Sequence, residues 1–345
     1  MVCRARERYV QSAAGRVDPM SDEPIGDAAA RRGLALGAFG VDAHDLRTDY
    51  QYRETLRREF RTITPGNALK MGPLRPSPHA FDFADADAIV SFGREHDMRV
   101  RGHTLAWHEA VPEWFQPWEY DDEQVRNLLR DHVRTVVSRY RGRIDTWDVV
   151  NEAVADDGSL RRTAWYDALG EAYVDRAFEW AHEADPDAAL YYNDYGAEAP
   201  GAKADGVYDL VAGLVDRGVP IDGVGLQLHA LDAWPDPDDV ATTIERFHDL
   251  GLAVQITEMD VAFPRDAVPD DPLAVQAEYY RDVVEVCLAT GVDALLTCGV
   301  HDDSSWLRFF EDFPERFTGD PLLFDDWYQP KPAYHAVHEA LSIDD

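Results

Sequence analysis

Two glutamates end apolar segments of this sequence, where an ionised side chain needs compensating partners. In IDTWDVVNEAV (144–154), apolar residues predominate until Asn151 and Glu152 interrupt them, and Glu258 ends the apolar segment 252–258. Burying a carboxylate at such a position costs several kcal/mol unless neighbouring groups compensate. Two carboxylates that face each other can cleave a glycosidic bond, because one protonates the leaving oxygen and the other serves the oxocarbenium-like centre. We therefore treat Glu152 and Glu258 as candidate catalytic residues.

The chain is strongly acidic, so composition alone does not set these two glutamates apart. Its 345 residues include 66 aspartates and glutamates against 33 lysines and arginines, a formal net charge of −33 at pH 7. Such a surface repels nucleic acid and anionic lipid, and we expect neither as a partner. Lysine occurs only at positions 70, 203 and 331. This composition is similar to that of proteins from salt-accumulating microbes, in which salt screens self-repulsion; an ordinary acidic protein is the alternative.

The cysteines and the N-terminal segment indicate neither a disulfide framework nor a membrane anchor. Cys3, Cys287 and Cys298 are odd in number and lack metal-ligand spacing, so we expect no disulfide and no zinc site. No stretch approaches the roughly 18 apolar residues of a membrane span. Residues 1–19 contain arginines without a following apolar core, which predicts a disordered extension or a misassigned start rather than a secretory signal. The expected location is cytoplasmic, with secretion as the alternative if the start is misassigned.

From residue 34 onward, short apolar segments alternate with longer amphipathic ones. Helical patterns cover 84–97, 121–140 and 271–290, and a last helix is predicted at 332–342. Eight strands are predicted at 34–40, 61–65, 98–105, 144–150, 188–193, 221–228, 252–258 and 293–299.

Buried strands that alternate with helices predict a parallel sheet, since each crossover needs a helix. Eight such units in about 310 residues suit a (β/α)8 TIM barrel, and we expect residues 20–345 to form this one catalytic domain. A doubly wound open sheet is the alternative. No glycine-rich phosphate loop follows any predicted strand, which weakens that alternative and any nucleotide-binding role.

In a (β/α)8 barrel, the side chains at the carboxyl ends of the strands face the active site. Strands four and seven lie across the barrel mouth, so Glu152 and Glu258 are placed to flank one ligand. Aromatic rings stack on sugars, and amides, histidines and lysines bind hydroxyl groups, which favours a carbohydrate cleft over two solvated loop acids. The polar and aromatic residues at the predicted strand ends are Asn67, Lys70, His103, Trp107, His108, Asn151, Glu152, Asn193, Asp194, Tyr195, Gln227, His229, Glu258, Asp260 and Trp306.

The chain also resembles the family-ten glycoside hydrolases, the xylanase family. The resemblance covers about residues 33–342 in order, and the WDVVNE and ITEMD motifs together are highly specific. It implies a (β/α)8 barrel that hydrolyses internal β-1,4-xylosidic bonds of xylan or xylo-oligosaccharides with retention of configuration. We expect this enzyme to be a monomer and to need no cofactor. The segments that carry it are HTLAW (103–107), TWDVVNEAV (146–154), YYNDYG (191–196), GLQLHA (225–230), ITEMDV (256–261) and PLLFDDWYQPKPAY (321–334).

The resemblance assigns a role to each matching residue. It implies that Glu152 is the acid/base and Glu258 the nucleophile, with Asn151 binding the sugar 2-hydroxyl. It implies that His229, supported by Asp260, orients and tunes Glu258. The positions that match sugar-binding residues of the family are Asn67, Lys70, His103, Trp107, Tyr195, Gln227 and Trp306.

Five positions depart from the family pattern. Gly66 and Arg75 replace glutamates, Met71 and Cys298 replace tryptophans, and Ala110 replaces a glutamine. Since most of these family positions serve the glycone side of the cleft, the departures leave three readings. The chain is a retuned xylanase, a hydrolase of another β-linked glycan, or a weakly active or non-hydrolytic glycan-binding barrel. The retained catalytic set favours hydrolysis.

The remaining histidines and tryptophans allow other interpretations. A metal-dependent hydrolase would use His103, His108 and His229 as ligands, but a carbohydrate cleft explains them better, and we expect no metal. Trp114, Trp118 and Trp165 are predicted to pack in the interior, with sugar contact by Trp114 as the alternative.

Overall fold

The computed structural model describes residues 23–310 and 312–342. The predicted extension 1–19, with Cys3, lies outside the described residues. The described residues contain nine strands: β1 (Ala35–Val41), β2 (Thr62–Pro65), β3 (Arg99–Ala106), β4 (Thr146–Asn151), β5 (Ala189–Asp194), β6 (Gly223–Leu226), β7 (His229–Ala230), β8 (Ala253–Val261) and β9 (Ala294–Thr297).

Eight of these strands form a closed parallel barrel. The order is β6-β5-β4-β3-β2-β1-β9-β8, and β6 also pairs with β8, which closes the sheet. Every position of β2, β4, β6 and β9 is buried, as in parallel sheets covered by helices. The predicted (β/α)8 barrel is confirmed.

The two-residue strand β7 lies at the end of β8 and extends the sheet beyond the barrel. His229 is paired in register with Asp260, and Ala230 with Val261. This pairing extends β8 to Val261, three residues past the end predicted from the sequence. The predicted strands 221–228 and 293–299 are correspondingly shorter in the structure, as β6 and β9.

Helices connect the strands and form the outer layer. Local signals set several of their ends. Asp121 and Gln124 form a capping box at the start of α6 (Asp122–Tyr140), and prolines occupy the first turns of α10 (Pro237–His248) and α11 (Pro272–Thr290). Gly291 ends α11 in the left-handed conformation. No helix among the described residues is both long and apolar enough to cross a membrane. The helices are α1 (Ile25–Arg31), α2 (Ala43–Thr48), α3 (Tyr50–Glu59), α4 (Met71–Leu74), α5 (Ala84–Glu95), α6 (Asp122–Tyr140), α7 (Ala164–Leu169), α8 (Ala172–Ala184), α9 (Ala202–Asp216), α10 (Pro237–His248), α11 (Pro272–Thr290), α12 (Phe313–Arg316) and α13 (Pro332–Ser342).

A buried polar network crosses the inside of the barrel below the candidate site. Arg101 of β3 donates to both carboxylate oxygens of Asp148 of β4, at 2.7 and 3.1 Å, and to Gln255 of β8 at 2.7 Å. His103 Nδ1 lies 3.0 Å from Asp148 Oδ2. Burial disfavours the ionised form of Asp148, but Arg101 and His103 outweigh it and hold the pKa of Asp148 below its usual value. The network joins three strands and reaches the floor of the cleft at His103.

The three tryptophans that we predicted to be interior differ in their surroundings. Trp165 is buried and donates to the carbonyl of Trp107 at 3.2 Å, so it supports a cleft residue from behind. Trp114 is half-buried and donates to the carbonyl of Arg75 at 2.7 Å. The prediction for Trp118 was wrong, because its side chain is 79% exposed in a short 3-10 helix.

Candidate active site

A cleft of about 1370 Å³ opens at the carboxyl ends of the barrel strands. Both candidate glutamates line it, together with aromatic residues that the sequence analysis did not single out. Only Phe39, at the end of β1, carried a signal that sequence reasoning would have caught, namely its strand-end position. The others lie in loops or, for Phe313, at the start of a short helix, and their side chains reach the cleft only in the folded chain. The additional aromatic lining consists of Phe39, Trp234, Phe309, Phe310, Phe313 and Tyr328.

Glu152 directly follows β4 and is held by three side-chain donors. Its Oε1 accepts from Asn151 Nδ2 at 3.0 Å and from Gln227 Nε2 at 3.1 Å, and its Oε2 accepts from Trp107 Nε1 at 2.9 Å. The Glu152 backbone has a φ of 55°, in the left-handed region that non-glycine residues rarely occupy. Such conformations concentrate at functional sites, where the surrounding structure enforces them.

Glu258 lies within β8 and is only 6% exposed, yet it lines the cleft. Its Oε1 accepts a hydrogen bond from Asn193 Nδ2 at 2.9 Å. Burial raises the pKa of Glu258 above its usual value, while His103, His229 and the Asn193 hydrogen bond act in the opposite direction. The ionised form of this carboxylate therefore depends on its immediate neighbours.

Two amides join the glutamates across the barrel mouth. Asn193 Nδ2 donates to Asn151 Oδ1 at 2.8 Å as well as to Glu258, and Asn151 in turn donates to Glu152. From the sequence, Asn193 was identified only as a polar residue at the end of a predicted strand. Its linking role depends on the register of β4 against β5, where Asn151 and Asn193 are paired, and the sequence alone does not reveal this register.

His229 forms a second polar arrangement beside Glu258. Its Nδ1 lies 3.0 Å from Asp260 Oδ1 and its Nε2 lies 3.2 Å from Gln227 Oε1. Trp306 Nε1 donates to the other oxygen of Asp260 at 2.6 Å. Burial alone would lower the pKa of His229, but the charge of Asp260 and its hydrogen bond raise it to about 9. His229 is therefore protonated at neutral pH and places a positive charge near Glu258.

All seven residues that match sugar-binding positions line the cleft. Lys70 Nζ donates to Asn67 Oδ1 at 2.9 Å and lies 4.8 Å from the centre of the Trp107 ring. Burial lowers the pKa of Lys70, and the charges of Glu258 and Glu152 oppose that shift. Tyr195 accepts a hydrogen bond at its Oη from Arg161 Nη2 at 2.6 Å, which fixes the ring. Arg161 was not identified from the sequence. The seven residues are Asn67, Lys70, His103, Trp107, Tyr195, Gln227 and Trp306.

Only two of the five departures from the family pattern lie on the cleft wall. Gly66 and Cys298 line the cleft, whereas the other three do not. Arg75 is buried against the α6 region, where it donates to Leu128 O at 3.1 Å and to Asp131 at 2.8 Å. Gly66 and Cys298 are therefore the departures that alter the wall surface directly. Position in the sequence does not show which way a loop side chain points. The three departures outside the cleft lining are Met71, Arg75 and Ala110.

His108 is also separated from the other histidines. It lines a smaller cavity beside Trp165 and Arg161 rather than the cleft that contains His103 and His229. Burial lowers the pKa of His108 below its usual value. The three histidines that the sequence offered as metal ligands thus do not line one cavity.

A closed parallel barrel with two carboxylates linked through amides, at the carboxyl ends of its strands and among aromatic rings, defines a glycosidase site of the TIM-barrel type. Residues 25–340 match the model of glycosyl hydrolase family 10. The chain belongs to this family.

Its relatives include endo-1,4-beta-xylanase B of Thermotoga neapolitana, 41% identical over 93% of this chain and 92% of that protein. The beta-1,4-xylanase of Dictyoglomus thermophilum is 42% identical over 84% of each chain. Among solved structures, native xylanase 10B of Thermotoga maritima superposes with a TM-score of 0.86 at 39% identity, covering 92% of this chain and 98% of that one. Xylanase 10B of Thermotoga petrophila in complex with xylobiose gives a TM-score of 0.88 at 38% identity, covering 94% and 98%.

Proposed function

We propose that this protein is an endo-β-1,4-xylanase that cleaves internal linkages of xylan or xylo-oligosaccharides by double displacement, with retention of configuration. The observation that carries this proposal is the pair Glu152 and Glu258, joined through Asn151 and Asn193 at the cleft floor of a family 10 chain. The names of the relatives support xylan as the substrate. A non-hydrolytic barrel is not favoured, because both glutamates and the amides that link them are in place.

In the first step, Glu258 attacks the anomeric carbon while Glu152 transfers its proton to the departing glycosidic oxygen. The products are a shortened chain and a glycosyl ester on Glu258. In the second step, Glu152 takes a proton from water, whose oxygen attacks the anomeric carbon and releases Glu258 as a carboxylate. Formation of the ester removes the negative charge of Glu258, and this change suits Glu152 to act as a base in that second step.

The neighbouring residues fit supporting roles in these steps. Asn151 is placed to bind the sugar 2-hydroxyl beside Glu258, where such a bond strengthens as positive charge develops on the ring. The protonated His229, held by Asp260, favours the ionised nucleophile. Lys70 and Asn67 offer hydrogen bonds to hydroxyl groups, and the aromatic rings of the wall offer stacking surfaces for sugar faces.

Substitution of the nucleophile provides the test. Glu258→Gln removes the attacking carboxylate, and we expect hydrolysis of an aryl β-xylobioside to fall by roughly 10⁴-fold or more. Glu109→Gln, on an exposed glutamate of the same cleft wall, is the matched control and should retain activity. Hydrolysis by Glu258→Gln near the unsubstituted rate would contradict the assignment.

A second variant tests the role of Glu152 and the stereochemistry. In Glu152→Ala, a good leaving group still departs, but the glycosyl ester lacks a base to activate water. We expect azide, which needs no deprotonation, to restore turnover and to give a β-xylosyl azide, identified by NMR of the product. An α-configured azide, or no rescue with undiminished water hydrolysis, would exclude the retaining mechanism.

A further inference from the structure

Three side chains of different ligand chemistry converge on the cleft floor next to Glu258. His229, Asp260 and Cys298 each place a ligand atom so that all three atoms lie within 4.8 Å of one another. His229 and Cys298 line the cleft, and Asp260 is fully buried behind them. The spacing of these residues in the sequence gives no hint of a site, because the convergence depends on the pairing of β7 with β8 and on Cys298 following β9.

Outer hydrogen bonds occupy the far atoms of two of these side chains. The Nε2 of His229 donates to Gln227 Oε1, and the Oδ2 of Asp260 accepts from Trp306 Nε1. The Nδ1 of His229 and the Oδ1 of Asp260 are hydrogen-bonded to each other at 3.0 Å, so a metal ion at this place would replace the proton between them. Metal-ligating histidines and carboxylates are oriented by this kind of second hydrogen bond.

We propose that His229, Asp260 and Cys298 form a binding site for a thiophilic divalent cation, Zn²⁺ or Cd²⁺, whose occupation inhibits the enzyme. A thiolate, an imidazole nitrogen and a carboxylate oxygen are the ligand types that Zn²⁺ prefers, and three protein ligands leave its fourth position open to the cleft. No electron is transferred. The metal displaces the proton of His229 Nδ1 and the thiol proton of Cys298, and both protons pass to solvent.

Occupation of this site blocks hydrolysis for two reasons. The metal replaces the proton that His229 Nδ1 shares with Asp260, so the hydrogen bond that holds the protonated His229 beside Glu258 is lost. The open coordination position also faces the space that a sugar ring must enter. This inhibition rests on the proposed function, whereas the binding of the metal does not.

The acidic surface also binds divalent cations without specificity. The experiment therefore needs a signal that arises only when a cysteine coordinates the metal. Absorbance of the Cd²⁺–thiolate bond in the ultraviolet reports coordination by sulfur alone, and an excess of Mg²⁺ occupies the surface carboxylates. Cys3 lies outside the described residues, so Cys3→Ser is introduced throughout. Cys287 is buried in α11, away from the cleft lining, and Cys287→Ser is the matched control.

The experiment titrates Cd²⁺ into the full-length Cys3→Ser protein and records both the thiolate band and the hydrolysis of an aryl β-xylobioside. We expect one Cd²⁺ per chain, with inhibition that follows the band and is reversed by a chelator. Cys287→Ser should behave like the parent, and Cys298→Ser should lose the band. Absence of the band in the parent, or its persistence in Cys298→Ser, overturns the proposal.

A milder variant keeps the test decisive if Cys298→Ser does not fold. Trp306→Phe removes the hydrogen bond to Asp260 Oδ2 and leaves all three ligands, so we expect Cd²⁺ affinity to fall by about 10–100-fold. Unchanged affinity in this variant counts against the ligand set. A parent protein that shows the band but hydrolyses no xyloside retains the metal site and overturns the proposed function instead.

Discussion

At the scale of single residues, the ionisation of Glu258 is the property that its surroundings most need to control. The side chain is buried, and burial favours the protonated form that is unable to attack a sugar. Three neighbours counter this effect, namely His103, His229 and Asn193, and only Asn193 contributes a neutral hydrogen bond. Removing it changes the ionisation of Glu258 without removing a charge.

Asn193→Ala therefore shifts the acid limb of the pH profile. Loss of one hydrogen bond to a charged group costs about 1.5–3 kcal/mol, and one pKa unit corresponds to about 1.4 kcal/mol. Because the donor stabilises the carboxylate, its removal raises the pKa of Glu258 further. We expect the acid limb of kcat/KM to move to higher pH by about one to two units.

Thr257→Val is the control for this shift. The Thr257 hydroxyl donates to Asn193 Oδ1 at 2.8 Å, so the substitution disturbs Asn193 without removing its donor to Glu258. Asn193→Ala with reduced activity but an acid limb at the original pH would show that Asn193 only positions groups and does not tune the nucleophile.

At the scale of secondary-structure elements, the site depends on a close approach between β5, β6 and β8. Gly225 of β6 has no side chain, and a Cβ at this position would lie 2.2 Å from Asn193 Oδ1 and 2.9 Å from Thr257 Cγ2. Gly225→Ala therefore displaces Asn193 from the position in which it links the glutamates. Overpacking of this kind costs about 1–3 kcal/mol.

We expect Gly225→Ala to lower Tm by roughly 1–4 °C, at about 1.4 °C per kcal/mol for a protein of this size, and to lower kcat. Gly213→Ala in α9 is the control, since the added Cβ would meet only the flexible end of Arg217. Differential scanning calorimetry and xyloside kinetics measure the two effects. Unchanged Tm and unchanged kcat in Gly225→Ala would show that the site does not depend on the close approach of these strands at position 225.

The elements themselves were predictable, and their fine register was not. Apolar segments alternating with amphipathic ones predicted the eight barrel strands, and strand-end polarity placed Glu152 and Glu258 at the cleft, as the structure does. The linking role of Asn193 depends on strand register and on Gly225, whose lack of a side chain leaves room for the amide. The two-residue β7 is too short for any periodicity to detect. Nor did the sequence show that Arg75, which replaces a family glutamate, turns its guanidinium toward Leu128 and Asp131.

At the scale of the whole molecule, charge is the dominant property. The net charge of −33 is accompanied by many arginine ion pairs on the surface, most of them solvent-exposed and individually worth little. Self-repulsion of the remaining acids is screened over about 10 Å at 0.1 M salt and over about 3 Å at 1 M. We propose that the fold is adapted to concentrated salt.

We accordingly expect Tm to rise as KCl is raised from dilute to molar concentration, because salt relieves repulsion that is present in the folded state. A non-ionic osmolyte of equal osmolarity is the control, since it leaves the electrostatic term unchanged. A melting temperature that is the same in dilute and molar KCl would refute the salt hypothesis and leave an ordinary acidic protein.

The polar network inside the barrel has a consequence for how such an enzyme can diversify. Removing Arg101 would leave the buried Asp148 with His103 as its remaining charged partner, and breaking a buried ion pair in this way costs about 3–5 kcal/mol. Substitutions in this buried polar network therefore lower the stability of the fold, whether or not they alter the reaction. Substitutions at Gly66 and Cys298 change the shape of the cleft wall without removing a group from that network. Sugar preference can therefore change through substitutions at the cleft wall, whereas the catalytic residues are maintained together with the barrel.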